Sequence, residues 1–475
     1  MDSGLSKKYG LFTAISMVVG IVIGSGVFFK AQTVLQKTGG DVPLGVVAWI
    51  IGGLIMISCV LAFAMMAQKQ VKINGVVDYA EAWVGKKYAY MIGWFMSTIY
   101  YPALTAVLSW VSARYTIVFL RSCWPDFPLV ELGGSYAGAE SILGPDCITI
   151  MMFYLIMSYV VNTLAPKIAG YFQTTTTVIK LIPLFLMAIV GVLVGIFSRD
   201  QLLVQNFTAG AVVPVESSPL FAAVCSTAFA YDGWIVVTTI NSELKNPKKT
   251  LPRALILGGV IIMAVYILYY IGVTGGATVE VLMADGATTA FTNIFGGVLG
   301  NILNLFIAIS CLGTMNGLML GCTRGLYSIA SRKEGPNHET FSQVDKMTNM
   351  PHNSALFALA VSAVWGLYFY FSNLAGAWSG PFVFDSSEIP IVTIYAMYIP
   401  IFICWMIREK SEPFVKRFVI PSFAILGSGF MVFACVLAHV KSLIWYFIIF
   451  AIVMAIGVFV NRKNVKEQGT PDSAE

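Results

Sequence analysis

The chain is laid out in long apolar runs separated by short polar segments, with little of the alternation that marks half-buried strands. A run of about 20 apolar residues crosses a bilayer as a helix. The pattern predicts about twelve such helices, near residues 10–36, 43–68, 88–120, 147–165, 172–197, 219–241, 252–276, 294–330, 354–373, 388–407, 418–438 and 441–460. Two of the runs are interrupted. In the first, Gly24-Ser25-Gly26 stands between Gly20-Ile21-Val22-Ile23 and Val27-Phe28-Phe29-Lys30. In the sixth, Phe229-Ala230-Tyr231-Asp232-Gly233-Trp234 puts a carboxylate at membrane depth.

Glycine loses the most backbone entropy on ordering, so Gly-Ser-Gly is a weak point in a helix. In lipid, a lapse of helical hydrogen bonding is tolerated only where the freed groups face protein or a wet cavity. Freed N–H groups then form a donor cluster suited to a carboxylate. Gly20 and Gly24 also make a small-xxx-small face, so the stretch reads either as a break or as a packing surface. Paired interruptions at corresponding places in two halves of a chain point to the binding site of a secondary transporter. The first five spans cover about as many residues as the next five, and an odd number per block turns the second copy upside down. The predicted fold is an all-α polytopic membrane protein with a 5+5 inverted repeat. Residues 10–197 and 219–407 form the two copies, and broken helices 1 and 6 meet near the midplane. Two additional helices follow at 418–460, then a disordered tail at 463–475.

Composition agrees. Of 475 residues, 57% are hydrophobic and 11% charged, about half the charge of an ordinary soluble chain. A β-barrel would alternate in short segments and is excluded. The net charge of +5 is spread over short loops, with no basic stripe for nucleic acid. Met1–Tyr9 is short and polar, so no cleavable signal is expected. Lys and Arg favour one set of connections, while the other set holds only Lys30, Lys37, Arg121, Arg199 and Lys441. The bias places both termini in the cytoplasm, in a cell membrane. The outer segment near 121–146 is bracketed by Cys123 and Cys147, either a disulfide or two thiols, the second already inside a span. The inner segment Ser331–Asn353 is polar and long enough for a short surface helix. No Cys/His spacing of a metal site is present, and neither metal nor cofactor is expected.

Few ionisable residues fall within the runs. Lys180, about nine residues into its helix, is costly in lipid unless paired or wetted, which points to function; snorkelling to the interface is the plain alternative. A fixed ammonium there would replace a coupling sodium ion, or exchange a proton. Asp232 either faces substrate or caps the break. Arg114 lies near a helix end, where snorkelling suffices. Tyr100 and Trp234 are gate candidates, with packing as the alternative. Asn316, in Ser310-Cys311-Leu312-Gly313-Thr314-Met315-Asn316-Gly317, offers an amide to Lys180 or the first break, or simply joins helices. Glu243 follows the second break among basic residues, as a topological signal or a gate. An embedded enzyme would need a nucleophile–base or metal cluster within spans, yet His338, His352 and His439 lie in or near loops. No charged filter ring suggests a channel.

At Ile23-Gly24-Ser25-Gly26-Val27-Phe28-Phe29, Phe229-Ala230-Tyr231-Asp232-Gly233-Trp234 and Glu243-Leu244-Lys245-Asn246-Pro247-Lys248-Lys249-Thr250-Leu251-Pro252-Arg253-Ala254, the chain resembles the L-type amino acid transporter family of the amino acid–polyamine–organocation superfamily. Lys180 and Asn316-Gly317 match in position, and Asp232 is most similar to bacterial, serine/threonine-exchanging members. The resemblance implies twelve spans with alternating access, moving L-amino acids without sodium and commonly by exchange. It implies that Gly24, Ser25 and Gly26 hold the substrate carboxylate. Carbonyls of Ile23, Phe229, Ala230 and Asp232 would take the ammonium, with Phe229 as gate. Lys180 would tie the fifth helix to the first break and the eighth helix. Animal members join a heavy-chain glycoprotein through an outer-loop cysteine. The neighbourhood of Cys123 differs, so no such partner is expected. Asp232 replaces a small residue there, which favours small to medium neutral substrates. Proton-coupled symport through Lys180 or Asp232 is the alternative to exchange.

Overall fold

Apolar runs of this length form helices because a helix satisfies its backbone polar groups within itself. The computed structural model describes residues 10–24, 26–69, 75–124, 131–133, 141–143, 145–215, 218–237, 244–374 and 381–468. The first half comprises α1 (Leu11–Val22), α2 (Gly26–Lys37), α3 (Val42–Lys69), α4 (Val76–Trp83), α5 (Lys86–Cys123), α6 (Pro145–Leu164), α7 (Pro166–Phe197) and α8 (Leu202–Thr208). The second comprises α9 (Pro219–Ala230), α10 (Trp234–Val237), α11 (Pro247–Thr274), α12 (Val279–Asp285), α13 (Ala287–Ala330), α14 (His338–Phe341), α15 (His352–Asn373), α16 (Ile389–Arg408), α17 (Val415–Ala438) and α18 (Val440–Gln468). Among the described residues, ten helices are long and apolar enough to cross a membrane, and α1 and α9 are shorter apolar helices at the two interruptions. The protein is an all-α polytopic membrane protein.

Outward faces carry apolar side chains such as Phe153, Val178, Phe185, Ile452 and Phe459, as a surface meeting lipid requires. The interior is dense in aromatics. Trp49 packs edge-on to Tyr231 and Tyr266 with ring centroids 5.6 and 5.7 Å apart. Close helix approach depends on small residues: Gly272 of α11 and Gly275, which caps it, lie against Met187 and Gly191 of α7, within a π-type turn spanning Met187–Gly191. A second such turn, Met96–Tyr100, precedes Pro102 in α5. Gly296, at φ 78°, kinks α13.

Of the two alternatives for Cys123 and Cys147, the structure has two free thiols, with Cys147 buried inside α6 and facing the bundle. Other expectations need correction. A hairpin pairs Glu131–Gly133 with Ser141–Leu143 in the connection that precedes α6, too short a pattern to stand out in sequence. Lys30 belongs to no loop; it is buried in α2. Helix α18 runs through Lys463 to Gln468, and residues 469–475 lie outside the described set. The polar 331–353 segment does carry a short helix, α14.

Candidate functional site

The first interruption is a true break. Helix α1 ends at Val22, and Ile23 turns to extended backbone (φ −67°, ψ 93°) while its N–H still reaches the Val19 carbonyl at 2.8 Å. Ser25 lies outside the described residues, and α2 starts at Gly26. The packing alternative holds as well. A Cβ on Gly20 would stand 2.6 Å from Thr177 Cγ2, one on Gly24 2.6 Å from Thr314 Oγ1, and one on Gly26 2.7 Å from Ala230 Cα. The same glycines that weaken the helix let α7, α13 and the second break come close.

The second break follows α9. Tyr231 leaves the helix at φ −86°, ψ 3°, and Gly233 takes φ 95°, a left-handed conformation suited to glycine. Helix α10 then starts at Trp234. Helix α2 packs on α9 while α1 packs on α10, so the two interrupted helices run in opposite directions. Tyr266 of α11 joins them: its hydroxyl lies 3.0 Å from the Val22 carbonyl and 3.1 Å from that of Ala230. One hydroxyl proton is thus shared between two carbonyls released by the breaks.

Between the breaks is a cavity of about 190 Å³, lined by Gly24, Gly26, Gln173, Phe229, Asp232 and Thr314 among others. That exceeds the roughly 150 Å³ cavity known to admit benzene, so a small amino acid fits. The N-terminus of α2 and the C-termini of α1 and α9 converge on it, bringing free N–H groups and free carbonyls into one wall. Among the described lining residues Asp232 alone is ionisable, and Tyr100 donates a hydrogen bond to its Oδ2. The buried Gln173 Oε1 has no hydrogen-bond partner among the described residues. The chemistry offered is recognition of a zwitterion by peptide groups, with an amide, a hydroxyl and a carboxylate at the side.

The remaining expected residues lie around this cavity. Lys180 is fully buried and donates to the Gly20 carbonyl of α1, one turn before the break. Asn316 does not meet Lys180: its Oδ1 accepts from Asn162 Nδ2 at 2.8 Å, and its Nδ2 reaches the Ala169 carbonyl at 3.4 Å. Thr314, two residues earlier and so on the other side of α13, is the α13 side chain against the first break. Trp234 is packed between Phe63 and Tyr398, with ring centroids 5.6 and 6.0 Å away. Ile23 and Ala230 are buried at the breaks, and Phe229 stacks edge-on against Phe29 at 5.9 Å. Arg114 lies over Trp110 and Tyr115. Glu243 is outside the described residues.

Sequence reading missed a buried charge group next to Phe229. Lys30 Nζ is 2.6 Å from Glu388 Oε1 and 3.1 Å from Ser387 Oγ, and lies 5.5 Å from the Phe229 ring centre. Glu388 Oε2 is 3.1 Å from His439 Nε2. The available signal was Lys30 itself, a cation seven residues inside the end of α2. Tyr266 and Gln173 gave none, since a tyrosine or glutamine in an apolar run has no distinctive spacing.

The family described as Amino acid permease matches residues 9–471. The serine/threonine exchanger SteT of Bacillus subtilis (strain 168) is 29% identical over 451 residues, covering 93% of this chain and 94% of that protein. The human b(0,+)-type amino acid transporter 1 is 26% identical over 472 residues, covering 94% and 88%. The human cystine/glutamate transporter is 27% identical over 349 residues, covering 73% and 65%.

Proposed function

Because the chain belongs to the amino acid permease family, we propose that it is a sodium-independent exchanger of small to medium neutral L-amino acids, such as alanine, serine and threonine. The observation that carries this reading is the pair of opposed helix breaks packed backbone to backbone at Gly26 and Ala230 beside the 190 Å³ cavity. The N–H groups of Gly24, Ser25 and Gly26 hold the α-carboxylate. Carbonyls of Ile23, Phe229, Ala230 and Asp232 take the α-ammonium, and Phe229 closes over the side chain, with Tyr100 and Trp234 behind it. Asp232 and Gln173 favour a short polar or small side chain and disfavour a large apolar one.

Sodium independence has a physical basis in Lys180. Its ammonium donates to the Gly20 carbonyl, a position where an alkali cation would otherwise satisfy released backbone oxygens. Residues 10–197 and 219–407 act as inverted repeats, rocking about the two breaks, with α17 and α18 as an appendage and Asn316 fixing α13 to α6. Both termini face the cytoplasm. The protein works without a heavy-chain partner, so no reductant-sensitive band shift through Cys123 is expected on gels of native membranes.

Proton-coupled symport is the second reading, favoured by the buried Tyr100–Asp232 hydrogen bond in the cavity wall. Counterflow in proteoliposomes decides between them. Exchange requires that labelled serine or alanine enter only when amino acid is present inside, with or without sodium. Uptake into empty vesicles driven by an imposed pH gradient would replace exchange by proton coupling. Competition by all common amino acids then defines the substrate list.

A further inference from the structure

We propose that Cys225, Cys435 and His439 form a binding site for one thiophilic divalent cation of the zinc class, joining α9 to the turn between α17 and α18. The two sulfurs and a ring nitrogen of His439 lie within 4.8 Å of one another. Tetrahedral zinc holds sulfur at about 2.3 Å and imidazole nitrogen at about 2.0–2.1 Å, which puts neighbouring donors roughly 3.5–3.8 Å apart. Small side-chain rotations close that difference. The three residues escape a sequence search because Cys225 comes from a different part of the chain; Cys435 and His439 are one turn apart and share a face.

The surroundings suit a metal better than they suit three packing side chains. Cys225 and Cys435 are buried, while His439 is partly exposed and gives a cation a way in. Glu388 sits 3.1 Å from His439 Nε2. Metal-bound histidines commonly donate their other ring N–H to a carboxylate, so ligation through Nδ1 leaves that hydrogen bond in place. Lys30 holds Glu388 in turn at 2.6 Å. The charges also balance. Two thiols release two protons on binding, and His439 ligates as the neutral imidazole, giving up any second ring proton. Two thiolates then neutralise the dication, and the Lys30–Glu388 pair is already neutral. A buried site is filled with no net charge added. Three protein ligands leave the fourth position to water.

Cys225 lies one turn before Phe229 on α9, whereas Cys435 belongs to α17. A bound cation therefore pins the element that ends at the cavity, and, on the transport reading above, slows exchange. The test uses full-length protein purified in detergent under reducing conditions and then freed of reductant. Cadmium, titrated as a spectroscopic probe, should raise a thiolate charge-transfer band that saturates at about one equivalent and is reversed by zinc. Cys225→Ser/Cys435→Ser, provided it keeps the wild-type gel-filtration profile, should lose the band. Cys435→Ala alone should lose most of it, and His439→Gln should weaken binding by about tenfold. A band that persists in the double variant, no band in the wild type, or Cys225 and Cys435 recovered as a disulfide would overturn the site. In proteoliposomes, zinc should slow exchange by the wild type and leave Cys435→Ala unaffected. Cadmium binding with no transport of any amino acid would support the site and count against the transport reading, so the two can fail separately.

Discussion

A methyl group on Gly26 would meet the Ala230 Cα at 2.7 Å, backbone against backbone, with no side chain to rotate away. Gly24→Ala instead meets a hydroxyl and methyl of Thr314. The two substitutions should therefore separate. Gly26→Ala should lower exchange by about tenfold or more whatever its neighbours, while Gly24→Ala should be partly rescued by Thr314→Ala. Uptake rates of the two singles and the double, at matched amounts of inserted protein, check this. Failure of the rescue would mean that Gly24 acts through its backbone freedom and not through space. Glu388 is the other decisive residue. Its removal leaves Lys30 as a buried cation without its carboxylate, and breaking such a pair costs about 3–5 kcal/mol. Glu388→Ala should lower thermal stability in detergent well below that of the paired Lys30→Met/Glu388→Leu variant. Equal losses would show that the pair is weaker than its burial implies.

At the scale of elements, the two breaks were the most legible feature, because a glycine pair around a serine and a carboxylate inside an apolar run both contradict the rest of their helices. The spans were legible for the same reason that membranes admit few structures. Partners across the bundle were not legible. Lys30 and Glu388 lie 358 positions apart, and nothing in either neighbourhood names the other. Asn316 turned toward Asn162 instead of Lys180 because helix rotation, set by packing, decides which neighbour an amide meets. Lys180 joins α7 to α1 through a single carbonyl, a contact between elements that must shift if access alternates. Lys180→Ala should therefore reduce the maximal exchange rate by about tenfold while changing the apparent substrate affinity by less than about threefold. Equilibrium binding and initial rates, measured on the same preparation, check it; a wild-type rate would remove Lys180 from the mechanism.

Across the whole molecule, charge pairs sit at opposite ends of the bundle. Helix α16 makes the distance plain: Glu388, just before it, pairs with Lys30, and Glu409, just after it, pairs with Lys69. Twenty helical residues separate these ends by about 30 Å, the thickness of a bilayer core. At the second end Glu412 also meets Lys69 at 2.9 Å, Trp83 donates to Glu409 at 2.9 Å, and Arg332 pairs with Asp78 and Glu81. These contacts tie α3 and α4 to the segments just after α13 and α16 at that end, and on the transport reading above they would stabilise states closed there. An equilibrium between two states moves only as far as a change affects one of them more than the other. Arg332→Gln removes the ion pairs that Arg332 makes with Asp78 and Glu81 from the closed state, so it should favour opening. With Thr314→Cys as a reporter in the cavity wall, a membrane-impermeant thiol reagent supplied on the Arg332 side should react several-fold faster in the Arg332→Gln background, and bound serine should slow it. Reaction from the opposite side should fall in proportion, because opening at one end is gained at the expense of the other. Unchanged rates on both sides would mean that these ion pairs hold the helices together without governing access.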